Sequence, residues 1–193
     1  MKKLLIIFFL AGSIPAFSQA LTTMEYSMGF ATGDLSDFIS APSFRGFTTS
    51  FKKFVHPNVA AGVEFGWNVF YDEEPTDVYT QGNFAYSGKQ YRYSNQFPML
   101  VRADYYFKPG EMINPYVGLG LGTMYTLRNT DMGQYRIEED AWHFLMKPEV
   151  GVEFEMNPGF AFTVNSKYYG GFGAGGLAAQ GYFTINVGAV FKP

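Results

Sequence analysis

The sequence predicts an all-β fold: eight antiparallel strands, joined up and down, closed into a transmembrane β-barrel. Three observations predict it. Apolar residues recur at period two in one segment after another, the mark of strands with two unlike faces. The gaps between those segments alternate between short and long, as in a meander whose two ends face different compartments. Aromatic residues make up 19% of the chain and glycines number 22, whereas charged residues are only 16% against a usual quarter.

The chain of 193 residues opens MKKLLIIFFLAGSIPAFSQA. Lys2 and Lys3, the apolar run Leu4 to Leu10 and the small residues Ala16, Ser18 and Ala20 read as a signal peptide over 1–20. Cleavage is expected after Ser18 or Ala20, and with no cysteine there a lipid anchor is not expected. The remainder, 21–193, is one domain. It holds no run of about 18 apolar residues, so a membrane helix is not expected. Without cysteine, disulfides play no part. Loss of the leader leaves 12 basic against 17 acidic residues and no basic cluster, which argues against nucleic acid as a partner.

The strands are expected at 24–31, 44–55, 59–71, 92–107, 115–127, 141–156, 160–169 and 181–191. A brief helix fits within the gap that follows the first (TGDLSDFISAP). The second, SFRGFTTSFKKFV, fits least well, because Lys53 falls among its outward residues, close enough to the turn for its ammonium to reach water. The third, VAAGVEFGWNVFY, sets Val59, Val63, Phe65, Trp67, Val69 and Tyr71 against Gly62, Glu64, Gly66 and Asn68. The fourth sets Phe97, Met99, Val101 and Tyr105 against Leu100, Arg102 and Asp104, and the fifth sets Val117, Leu119 and Leu121 against three glycines. In the sixth, Trp142, Phe144, Val150 and Phe154 oppose His143, Lys147, Glu149 and Glu153; in the eighth, Phe183, Ile185 and Val187 oppose Thr184, Asn186 and Gly188. HPN, KPGEMIN and NPG are the short turns, and FVHPN, YFKPG, EMNPG and VFKP end the even strands alike, because proline has no N–H to donate.

Side-chain volume decides which face is outside. An eight-stranded barrel has a bore just wide enough for side chains, so the bulky face must point outward, and against water it would aggregate. A bilayer accepts such a wall, provided no backbone edge is bare. Trp67, Tyr71, Tyr125 and Trp142 are expected to mark the interface at the long-loop end; Phe54, Phe107, Phe160 and Phe191 are expected at the short-turn end. A secreted lipocalin-like barrel would reverse the faces.

The GVEF phrases at 62–65 and 151–154, YVGLGLG at 116–122, the leader ending FSQA and the last strand GYFTINVGAVFKP carry a resemblance. The chain is similar to the small outer-membrane β-barrel proteins of Gram-negative bacteria, in particular the outer membrane protein beta-barrel domain or porin-like group common in Bacteroidota. The resemblance implies outer-membrane residence beside lipid and lipopolysaccharide. It also implies handling by periplasmic chaperones and by the barrel-assembly machinery, whose C-terminal signal the last strand resembles apart from Lys192 and Pro193.

Little in the sequence points to catalysis. His56 lies in a tight turn; His143 points inward near the long-loop end, where Glu139 or Glu149 could serve a Ser–His–acid set. No serine lies within two residues of His143, and neither G-x-S-x-G nor H-E-x-x-H occurs. No enzyme activity, cofactor or metal is expected. The inward charges Lys52, Glu64, Arg102, Asp104, Lys147, Glu149, Glu153, Glu155 and Lys167 are expected to pair across the bore and close it. Residues 71–93 alternate aromatics with turn residues and could project as a hairpin, whose Tyr79, Phe84, Tyr86, Tyr91 and Tyr93 offer a surface for an extracellular protein or glycan. Asp72-Glu73-Glu74 and Glu138-Glu139-Asp140 read as solvated runs, and GGFGAGG as a loop without the lysine of a phosphate site. The expected role is envelope structure and surface interaction. The alternative is a conduit for small apolar solutes, with Pro98 and Pro148 as weak points in the wall.

Overall fold

The structure, a computed structural model, describes residues 20–81, 84–133 and 135–192; the leader expected over 1–20 lies outside them, apart from Ala20. The strands are β1 (Ala20–Thr32), β2 (Ser43–His56), β3 (Val59–Gln81), β4 (Phe84–Tyr106), β5 (Ile113–Met132), β6 (Tyr135–Asn157), β7 (Phe160–Gly171) and β8 (Gln180–Phe191). One helix, α1 (Asp34–Phe38), sits between β1 and β2. Each strand pairs antiparallel with its neighbours in sequence, and β1 pairs with β8 to close the ring. Partners followed around the ring from Phe191 through Thr22, Phe51, Val63, Val101, Leu121, Met146 and Gly170 return to β8 at Gly181, ten residues from the start. That stagger belongs to strands tilted by roughly 35–45° to the barrel axis.

Two hairpins outgrow the ring. β3 and β4 stay paired as far as Gln81 and Phe84, so the long gap at 72–91 is a projecting ribbon. β5 and β6 stay paired out to Met132 and Tyr135, where the sequence suggested a loop. There polar residues predominate and Met132, Tyr135 and Ile137 set up no regular alternation; Arg136 holds Asp131 through two hydrogen bonds of 2.6 and 3.0 Å.

The bulky side chains stand on the outer wall. Phe65, Trp67, Val101, Leu121, Phe144, Val150 and Ile185 are all exposed there. Ring contacts tie neighbouring strands: Trp67 stacks on Phe97 at 6.0 Å, Phe97 on Tyr125 at 6.2 Å, and Tyr125 meets Trp142 at 5.1 Å. At the short-turn end Phe160 meets Phe191 at 5.6 Å. Phe54 departs from the expectation. It shares the inward face with Lys52 and packs on Tyr106 at 5.3 Å, beside Leu21, Ala161 and Val190, so it lies inside the bore instead of joining the outer girdle. The cause is parity: two residues along a strand return to the same face.

Proline interrupts the wall at two places. Between Phe65↔Met99 and Asn68↔Gln96 the β3–β4 pairing lapses at Pro98, and between Met146↔Gly170 and Glu149↔Lys167 the β6–β7 pairing lapses at Pro148. Each proline lacks the N–H its partner would accept.

Candidate functional site: a charged bore beneath a helical plug

The inward face of each strand brings its small and polar residues to the axis. At mid-height Glu64 of β3 is fully buried and receives Arg102 Nη1 at 2.5 Å, Lys147 Nζ at 2.8 Å and Lys167 Nζ at 3.1 Å. Arg102 also forks onto Asp104 at 2.8 and 2.9 Å and reaches Glu149 at 3.0 Å. Lys147 donates to Glu149 at 2.6 Å, and Lys52 lies 3.2 Å from Asp104 and 3.5 Å from Glu153. Eight of the nine expected charges therefore meet in one buried cluster. Glu155 does not. It is half-buried at the short-turn rim, two residues beyond Glu153 toward the strand end, and pairs with Lys192 at 2.7 Å.

Glu25 of β1 belongs to the cluster and was missed by sequence reasoning. It is buried, takes the Lys167 ammonium and accepts the Asn165 amide at 2.5 Å. The signal that could have found it is its place opposite Met24 and Tyr26 in the first strand. Among the described residues the cluster sets four cations (Lys52, Arg102, Lys147, Lys167) against five carboxylates. Tyrosine hydroxyls supply further donors where cations fall short: Tyr106 to Glu153 at 2.6 Å, Tyr116 to Glu149 at 2.8 Å and Tyr169 to Glu64 at 3.1 Å. Removing charges from water costs several kcal/mol per ion, so such a cluster persists only where nearly every donor and acceptor is matched.

Glycines make room for these rings. A Cβ on Gly151 would stand 2.7 Å from Tyr116 Cζ, and one on Gly29 3.0 Å from Phe70 Cζ. Aromatic side chains thus occupy the bore by reaching over glycines on other strands.

Above the charges the bore turns apolar. Phe70, Leu100, Met124, Leu145, Tyr169 and Tyr182 close around Leu35 and Ile39, both wholly buried, which α1 and the residue that caps its C-terminus carry into the mouth. Asp72 fastens this plug by accepting Ser40 N–H at 2.9 Å, Ser40 Oγ–H at 3.1 Å and Ala41 N–H at 3.2 Å. Partial burial raises the Asp72 pKa, but these hydrogen bonds outweigh it and hold the carboxyl below its ordinary range. Phe38 lies beneath two guanidinium groups, Arg92 at 5.4 Å and Arg128 at 4.6 Å, and its carbonyl accepts Arg92 Nη1 at 3.1 Å.

The other candidates are dispersed. His143 is buried and its Nδ1–H donates to Phe172 O at 2.8 Å; Glu149 is engaged in the charge cluster, and Glu139 is exposed. His56 is exposed in its turn. Of the loop aromatics, Tyr93 packs on Tyr71 at 4.9 Å, Tyr79 turns its hydroxyl onto Pro75 O, and Tyr91 is half-buried. The backbones of Phe84 and Tyr86 pair with Gln81 and Tyr79, while their side chains fall outside the described residues. No three of the described His, Asp and Glu residues are grouped to hold a metal.

The barrel is similar to several solved structures. Neisserial surface protein A matches with a TM-score of 0.59 at 12% identity, over 91% of this chain and 97% of that one. Ail of Yersinia pestis, solved with a heparin analogue, matches with a TM-score of 0.56 at 12% identity, over 91% and 98%. OprG of Pseudomonas aeruginosa matches with a TM-score of 0.55 at 14% identity, over 91% and 96%. At such identities the likeness shows the fold alone. No curated protein matches the sequence. The family described as outer membrane protein beta-barrel domain matches residues 4–191. With an apolar wall outside, a polar bore inside and nearly the whole sequence matched, the chain belongs to that family of outer-membrane barrels.

Proposed function

We propose that the protein is a non-enzymatic barrel whose bore is closed to solutes and whose extracellular hairpins meet partners at the cell surface. One observation carries this reading. The bore is occupied along its length, by Phe54 and Tyr106 at the turn end, by the Glu64-centred ions at mid-height, and by Leu35 and Ile39 of the plug at the mouth. What remains available to a partner is the ribbon of β3 and β4 and its shorter companion from β5 and β6. That Ail was solved with a heparin analogue supports a glycan as one class of partner. His143, with a backbone carbonyl as its hydrogen-bond partner, supports the absence of hydrolytic chemistry. The signal peptide, chaperone escort and assembly by the barrel machinery complete the proposal.

Planar-bilayer recording of the purified barrel tests closure. No large steady current is expected, and one would overturn it. Surface interaction is tested by replacing residues 73–91 with a two-residue turn: glycan or matrix binding by whole cells is expected to fall while the barrel stays folded. Unchanged binding would overturn that half. A second reading, a lateral conduit for small apolar solutes, draws on the lapsed pairing at Pro98 and Pro148. It requires that uptake of such solutes drop in Leu100→Arg.

A further inference from the structure

We infer that the outer wall carries a seat for the phosphorylated headgroup of an outer-leaflet lipid, built around Arg45. This goes beyond the closed bore and the projecting hairpins, for it concerns the flank of the barrel.

Arg45 points out from β2 and is exposed. On the side toward the short turns the wall is apolar: Phe47 follows on the same strand, Tyr26 and Trp67 are the cross-strand partners of Phe47, and all three are about half exposed, at 48, 49 and 52%. Val69 and Tyr93 continue a recess shared with the Arg45 side chain, and Asn95, Asn129 and Asp131, whose carboxylate is taken by Arg136, line its far side. The guanidinium lies 5.9 Å from the Tyr71 ring centre, on the side of the long loops. Among the described residues no carboxylate comes within 4.0 Å of it, whereas Arg92, Arg102 and Arg136 each have an acidic partner. The other exposed cation of β2's outer face, Lys53, stands at the opposite end, beside the short turns.

A cation in a lipid-facing wall is costly unless it finds an anion or reaches water. Arg45 has no carboxylate to meet and stands near the Tyr71 girdle, where outer-leaflet headgroups lie. A guanidinium offers a planar fork that matches two phosphate oxygens. The rings of Tyr26, Phe47 and Trp67 lie toward the membrane interior, where acyl chains attached to that phosphate would run. Phosphate free in solution would gain nothing from those rings, so the occupant is a lipid.

Native mass spectrometry of the detergent-folded barrel tests this with two probes, bisphosphorylated lipid A and the same lipid with its phosphates removed. Wild type is expected to retain the phosphorylated form about tenfold better. Arg45→Gln is expected to lose that preference and Lys53→Gln to keep it, with heat-modifiable migration confirming that each is folded. Equal retention of both lipids by wild type overturns the seat, as does a preference that survives in Arg45→Gln or disappears equally in Lys53→Gln. If Arg45→Gln does not fold, Arg45→Lys is read in its place. It keeps the charge but not the fork, and must lower the preference about threefold; an unchanged preference overturns the proposal.

Discussion

The carboxylate of Asp72 holds Ser40 twice, by its backbone N–H at 2.9 Å and by its hydroxyl at 3.1 Å, and through it fixes the helical plug in the mouth of the barrel. These bonds favour the ionised carboxyl and lie beyond the Tyr71 girdle. A depressed pKa means the anchor is complete above the ordinary aspartate range and is lost as pH falls through the lowered value. The Ser40 and Ala41 amide resonances are expected to titrate together, below the range of a free aspartate. In Asp72→Asn they should be pH-independent and exchange faster with solvent. Titration of both amides at the ordinary aspartate value would show that the carboxylate does not anchor them.

Glu64→Gln leaves Arg102, Lys147 and Lys167 facing one another around a neutral amide. Breaking a buried ion cluster in this way costs about 3–5 kcal/mol. The urea midpoint of the barrel in lipid vesicles, followed by the fluorescence of Trp67 and Trp142, should fall accordingly. A change within error would mean that water already reaches the cluster.

Val101 is 64% exposed at mid-wall, and Val78 is 62% exposed on the projecting ribbon. Arginine at the first site meets hydrocarbon and is expected to cost roughly 2–4 kcal/mol. Arginine at the second meets water and should change stability by no more than about 0.5 kcal/mol. The same urea titration distinguishes them, and equal effects would misplace the membrane boundary.

Gly66 makes room for Pro98: a Cβ there would lie 2.9 Å from the proline Cγ. Gly66→Ala is expected to destabilise the barrel by about 1–3 kcal/mol through overpacking. Adding Pro98→Ala should recover most of that loss in a double-mutant cycle. Strictly additive effects would place the strain elsewhere.

Much of the architecture was legible in the sequence. Val59 to Tyr71 show a strand, its sidedness and its bulk in a single stretch, and the recurring proline turns set the count of eight. The inward charges could be read from alternation alone, and eight of them do meet. The rest needed register. Glu25 lies far from Lys167 in sequence and beside it only once β1 closes on β8. The brief helix was legible in TGDLSDFISAP but its role as a plug was not, because Leu35 and Ile39 have no apolar face until the barrel mouth provides one. The buried tyrosines were hidden too: the space they fill belongs to glycines on other strands, as with Gly151 and Tyr116.

The ring joins through a single seam between residues remote in sequence, where Thr22 to Thr32 meet Gly181 to Phe191. Every other seam can be zipped as soon as its hairpin exists. A nascent copy lacking the last segment would therefore present two raw backbone margins to the membrane, each demanding hydrogen bonds that lipid cannot give. A wall without bare margins therefore requires the final dozen residues, Gln180–Phe191, to reach the first strand.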